Sequence, residues 1–220
     1  MRAMILAAGR GERMRPLTDT CPKPLLEVNG KPLIQHHVES LARSGITSIV
    51  INHALFGEQI ERYLGDGSRF GVSIRYSAEG DIPLETGGGI FRALPLLGPA
   101  PFLVVNADIW TDFPFHTLPS LPRHLGHLVL VQNPEHNPGG DFSLGGMDVG
   151  VTGQPLFTFS GVAVYRPELF AACKGGAFSL VPLLKSAAVK QQITGEFYDG
   201  NWMDIGTPAR LEELRKQYIK

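Results

Sequence analysis

Two periods of apolar and polar residues alternate along the first hundred positions. Apolar-dominated runs at 4–9, 46–51 and 102–105 have the length of short strands, and the last is continuous enough to be buried on both faces. Between them Ile34, Val38 and Leu41 recur at helical spacing, with Pro32 ahead and Gly45 behind, which predicts a glycine-capped helix over 33–44. A second helix is predicted over 57–64, a turn at Asp66-Gly67, a strand where Val72, Ile74 and Tyr76 alternate, and a third helix over 88–97 that stops at Gly98-Pro99. Strand and helix in alternation argue for a parallel sheet with covering helices, because parallel neighbours need a crossover connection. The stretch 111–153, rich in proline, glycine and histidine, is expected to form loops and short strands walling a pocket, with one clear strand at 127–131. A strand resumes at 157–165. Thr207 and Pro208 offer an N-cap and first-turn proline for a closing helix with Leu211, Leu214 and Tyr218 on one face.

At 220 residues the chain can bury a full core, and one α/β domain over 1–220 is expected, with no appended β-helix repeat. Lys and Arg number 20 against 21 Asp and Glu, so a net charge of −1 gives no bulk field that would draw nucleic acid or an anionic membrane. No apolar run approaches the ~20 residues of a membrane span, and Arg2 and Arg10 leave too little between them for a signal-peptide core. A cytoplasmic location is expected. Cys21 and Cys173 make no metal or redox spacing, and the seven histidines form no metal motif.

Against that balanced charge, the segment after the first strand stands out. Gly9 and Gly11 let backbone N–H groups approach an anion, while Arg13, Arg15 and Lys23 supply charge to offset a triphosphate. It is neither a P-loop, which needs Gly-Lys-Ser/Thr after its second glycine, nor the dinucleotide fingerprint, which needs a third glycine where Met14 stands. Asp108 follows the 102–105 strand at the edge where open α/β sheets bind ligands. It could cap a turn there or, beside a triphosphate, serve Mg²⁺, which takes one or two carboxylates with phosphates and water. Asn106 and Asp141 are candidates for hydrogen bonds to sugar hydroxyls.

The run from Leu6 to Thr18, followed by Pro22-Lys23-Pro24, resembles the signature of the sugar-phosphate nucleotidyltransferases, Leu-Ala-Ala-Gly-x-Gly-x-Arg-hydrophobic-x-Pro-Leu-Thr with Pro-Lys-Pro behind it. Trp202 to Pro208 resembles the family's Trp-x-Asp-Ile-Gly-Thr-Pro segment, and Glu85 to Gly89 its Leu-Gly-Thr-Ala/Gly-x-Ala stretch, with Glu85 where a glycine is usual and Pro83 where some uridylyltransferases carry a base-reading glutamine. The resemblance implies a single Rossmann-like nucleotidyltransferase domain with a mixed, mostly parallel sheet flanked by helices. It also implies transfer of a nucleoside monophosphate from a triphosphate to a sugar 1-phosphate, with release of pyrophosphate. By the same resemblance Arg15 and Lys23 are catalytic, Asp108 and Asp204 hold Mg²⁺, and Ala8, Gly9, Gly11, Glu12, Arg13, Gly87 and Gly88 contact the nucleotide. Segments 51–54, 66–71, 87–89, 140–142 and 159–161 narrow the resemblance to a uridylyltransferase branch using UTP and an N-acetylated cell-wall sugar 1-phosphate. Guanylyl or thymidylyl transfer to mannose, heptose or glucose 1-phosphate is the alternative, and a non-catalytic nucleotide-sugar sensor a more distant one.

Overall fold

A computed structural model describes residues 1–80 and 84–217. The expectations at Pro83 and Tyr218 lie outside the described residues. In chain order the elements are β1 (Arg2–Leu6), β2 (Glu27–Val28), β3 (Lys31–Pro32), α1 (Leu33–Arg43), β4 (Ser48–His53), α2 (Gly57–Leu64), β5 (Ser73–Ala78), α3 (Glu85–Leu97) and β6 (Phe102–Asn106). They continue with β7 (Ile109–Thr111), β8 (Gly126–Val131), β9 (Phe142–Gly145), β10 (Asp148–Gly150), β11 (Leu156–Tyr165), α4 (Leu180–Val189), β12 (Ile193–Tyr198), β13 (Trp202–Asp204) and α5 (Pro208–Gln217).

The main sheet runs β5-β4-β1-β6-β11-β8-β12-β10-β9. β5, β4, β1 and β6 are mutually parallel, β8 and β12 keep their direction, and β11 and β10 run against their neighbours. This is the mixed, mostly parallel arrangement expected from the sequence. Its continuous apolar strands follow from burial on both faces. Ala3, Ile5, Ile49, Ile51, Leu103 and Val105 meet α1 and α2 on one side, whereas Met4, Val50, Phe102 and Val104 meet α3 and α4 on the other. A third, smaller core joins Met14, Leu26, Val28 and Leu33 to Ile205, Leu211 and Leu214 of the closing helix, so α5 seats the loop after β1 from beneath.

Two differences from the sequence pattern have physical causes. Residues 166–201 carry no clear period, yet contain α4 and β12; Pro182 sits early in α4, and Gly195 interrupts the apolar run of β12. The stretch 111–153 holds the short antiparallel strands β9 and β10 besides the one clear strand, in line with the expected loops and short strands. The third helix starts at Glu85, ahead of the expected start at Gly88, so Gly87 lies inside it with Gly88 and Gly89. Close packing explains their position. A Cβ at Gly87 would overlap the Phe178 ring, one at Gly88 the carbonyl oxygen of Gly176, and one at Gly89 the side chains of Glu79 and Asn52.

That packing sets the sign of a substitution. Helix propensity alone favours alanine over glycine by about 1 kcal/mol, but Gly88→Ala forces a methyl group into backbone that cannot yield cheaply, an overpacking cost of about 1–3 kcal/mol. Urea unfolding should show Gly88→Ala destabilised; a variant at least as stable as the wild type would contradict this packing.

Candidate active site

The site forms where β1, β4 and β6 end on the same edge of the sheet. Beyond β1 the N–H of Ala7 donates to Asn52 Oδ1 at 3.0 Å, which ties the start of the loop to the end of β4. Gly11 adopts φ +63°, and a Cβ there would press on Thr18 and Lys23, whose side chains close the loop around it. Thr18 Oγ1 donates to the Gly11 carbonyl at 2.8 Å. Met14, fully buried, anchors the loop in the small core below. Lys23 is buried, and its Nζ donates to Asp108 Oδ2 at 2.7 Å. The Asp108 carbonyl accepts the N–H of Ile205 at 2.8 Å, which lays β13 beside β7 in the register Asp204 to Ile109. The β11–β8 register shifts between Phe159 and Ala163, and this bulge contains Gly161, whose backbone lies against Asn106.

These elements enclose a cavity of about 600 Å³. Of the residues singled out in the sequence, Ala8, Gly9, Gly11, Glu12, Arg13, Lys23, Asn106 and Asp108 line it together. Arg15 faces a neighbouring cavity of about 620 Å³ with Arg10, Glu12 and Asp19, and pairs with Asp19 at 3.4 Å. Gly87 and Gly88 turn their N–H groups to the Phe178 carbonyl, at 3.0 and 3.1 Å, so both amides are engaged within the fold. Asp141 accepts from the N–H of Phe159 at 2.9 Å and from Asn137 Nδ2 at 3.2 Å, pinning the loop after β8 onto β11. Asp204 lies beside the cavity, next to its lining residue Gly206, and its Oδ2 is held by Arg210 at 2.9 Å and His136 at 3.0 Å.

Sequence reasoning missed part of the lining. Asn52 and Glu79 form a buried pair: Glu79 Oε1 accepts from Asn52 Nδ2 at 2.7 Å, and its Oε2 from the N–H of Leu84 at 2.9 Å. Glu85 and Thr86 complete that end. Asn52 stood within a segment singled out for its resemblance, but the pattern around Glu79 reads as any acid after an edge strand. Only the crossover that brings β5 beside β4 reveals its burial.

Asp108 and Asp204 are oxygen donors placed by adjacent strands, the chemistry that suits a hard divalent cation. Among the described residues no group of three or more His, Cys, Asp or Glu is arranged to hold a metal unaided. Two carboxylates completed by substrate phosphates and water fit an Mg²⁺-like ion better than a protein-only cage.

The nucleotidyl transferase family model matches residues 2–138. The chain is 54% identical over 224 residues to the N-acetylmuramate alpha-1-phosphate uridylyltransferase of Neisseria meningitidis, across 98% of this chain and 97% of that protein. The chain belongs to the nucleotidyl transferase family. A second relative, the N-acetylmuramate alpha-1-phosphate uridylyltransferase of Caulobacter vibrioides, is 37% identical over 96% of this chain and 97% of its own length. The solved structure of HddC from Yersinia pseudotuberculosis shares the fold at a TM-score of 0.80, covering 99% of each chain at 18% identity. No described helix of this nucleotidyl transferase is long and apolar enough to cross a membrane.

One titratable group holds the reactive edge in register. His37 of α1 is buried, and its Nε2–H donates to the carbonyl of Ile109, one residue past Asp108, at 2.8 Å. Burial pushes its pKa down to about 4, against the opposing pull of the Ile109 carbonyl. His37 is therefore neutral in the folded transferase, while the unfolded chain takes up a proton near pH 6.5. This contribution is fully present above pH 6.5 and is lost as pH falls towards 4, at up to about 1.4 kcal/mol per pH unit. His37→Gln should be less stable than wild type at pH 7.5, with the gap narrowing steadily between pH 6.5 and 4. A gap independent of pH would overturn the assignment.

Proposed function

We propose that this nucleotidyl transferase is a cytoplasmic enzyme of peptidoglycan recycling that joins UTP to N-acetylmuramate α-1-phosphate, forming the UDP-sugar and pyrophosphate. The observation that carries this reading is the convergence of the Lys23–Asp108 pair and the glycine-arginine loop on one cavity, in a chain whose likeness to the Neisseria uridylyltransferase spans almost its whole length. A sugar phosphate oxygen attacks the α-phosphorus of UTP; a new P–O bond forms, the bond to the β-phosphate bridge breaks, and pyrophosphate leaves. The nucleophile is already an anion near neutral pH, so no general base is needed.

What remains for the protein is positioning and charge. Backbone N–H groups around Gly9 and Gly11 cradle the triphosphate, and Arg13 offsets its charge. Lys23 leaves Asp108 to meet the oxygen of the α-phosphate, and Arg15, from the adjoining cavity, faces the departing pyrophosphate. Mg²⁺, held by Asp108 and Asp204, would supply further neutralisation of the phosphates when bound. At the far end the Glu79 carboxylate has acceptor capacity left for an N–H on the pairing edge of the base, which suits the N3–H of uracil.

The sugar end is electrostatically suited to an anionic sugar. The loop after β8 ends on the same sheet edge as β6, and it brings His136 against Arg210 and Asp204. Two potential donors beside the reacting phosphate favour a sugar that carries a carboxylate, as the lactyl ether of N-acetylmuramate does.

Pyrophosphate release measured with four nucleoside triphosphates against several sugar 1-phosphates tests the reading. UTP with N-acetylmuramate 1-phosphate should exceed GTP or dTTP with mannose or glucose 1-phosphate in kcat/KM by about tenfold or more, a transition-state preference of about 1.4 kcal/mol. Equal or higher efficiency with GTP and mannose 1-phosphate would refute it.

A further inference from the structure

Glu85, the first residue of α3, adopts φ +58°. A side chain makes this left-handed backbone unfavourable, and glycine would occupy it freely. The attraction between an acid and a helix N-terminus recovers less than such backbone loses. The Glu85 side chain is exposed on the cavity wall beside Thr86 and makes no hydrogen bond or ion pair with any described residue. A strained residue whose carboxylate has no partner among the described residues, at the rim of a ligand cavity, points to a use there.

Its place along the cavity identifies that use. The cavity extends from Asp108 after β6, past the loop after β1 and Asn52 of β4, to Glu79 after β5 and then Glu85 and Thr86. On the reading proposed above, the reacting phosphate lies at the Lys23–Asp108 end, so the nucleoside reaches towards α3. A phosphate beside Glu85 would be repelled, which keeps the same orientation. Of the two carboxylates at this end, Glu79 is only 6% exposed and serves the closed side, where a flat base goes. Glu85 stands on the solvent side, where the ribose presents two vicinal hydroxyls, two O–H donors suited to the two oxygens of one carboxylate.

We propose that Glu85 binds the ribose 2′- and 3′-hydroxyls and so makes the enzyme select ribonucleoside over 2′-deoxyribonucleoside triphosphates. The inference rests on the nucleotide reading of the cavity, but it has its own readout, because binding needs no sugar phosphate. Calorimetric titration of the full chain with Mg²⁺ and UTP or dUTP should show UTP binding at least about tenfold tighter. In Glu85→Gly the UTP affinity should fall more than that of dUTP, which loses only its 3′-hydroxyl contact, until the ratio is within about twofold of unity, while the Tm does not fall; Glu85→Gln should give an intermediate ratio. A residue that merely stabilises the helix end would lower Tm and leave the ratio unchanged. A wild-type ratio near unity, or one retained in Glu85→Gly, overturns the proposal. Should wild type bind another ribonucleoside triphosphate more tightly than UTP, the uridine reading fails while the Glu85 proposal is decided in that nucleotide and its 2′-deoxy form. Failure to bind any of the four overturns the nucleotide reading and this proposal with it.

Discussion

Lys23 is the constraint on which the rest of the site depends. It sits on a short turn in the loop after β1, its side chain is only 8% exposed, and Asp108 is its one polar partner among the described residues. A buried ammonium left without its counter-charge costs about 3–5 kcal/mol, so the loop that carries Lys23 cannot close over the sheet unless β6 delivers Asp108 to this spot. The contact at 2.7 Å therefore joins the two halves of the candidate site, the glycine-arginine loop from β1 and the carboxylate edge from β6. Everything around it keeps that junction in place. Met14 and α5 seat the loop from below, His37 fixes the backbone just past Asp108, and Ile205 brings β13 alongside.

The same contact explains how charge is stored in the free enzyme. Each carboxylate proposed to hold the metal already has a cationic partner, Lys23 on Asp108 and Arg210 on Asp204, and the His136 ring also lies against Asp204. On the proposed reading, incoming phosphates would offer Lys23 new partners and so leave the Asp108 carboxylate open to a divalent ion.

Much of this was legible in the sequence, for reasons that can be named. The strands β1 and β6 are buried on both faces and so leave continuous apolar runs, and α1 and α2 show a clear helical period between capping residues. The cradle residues and Lys23 are local in sequence, and most of them share one cavity. What was hidden depends on long-range packing. Gly87 and Gly88 resemble a stretch that lies against the base, and the sequence does not show that Phe178 and Gly176 press against them in α3. Glu79 and Asn52 are 27 positions apart and become a buried pair only through the β4–β5 pairing. Asp141 is a candidate sugar ligand in the sequence, and its carboxylate also holds the loop to β11 and to itself, which no local pattern announces. The left-handed backbone of Glu85 has no sequence signature beyond an acid standing where the family pattern that this stretch resembles has glycine.

A double-mutant cycle between Lys23 and Asp108, read by urea unfolding, tests most directly whether this pair organises the site. Asp108→Asn strands a buried charge and should lose about 2–4 kcal/mol of stability, whereas adding Lys23→Met removes that charge and should restore most of the loss, giving a coupling of about 2 kcal/mol or more. Additive effects of the two substitutions, within about 0.5 kcal/mol, would contradict the view that the phosphate loop is held in place by this contact.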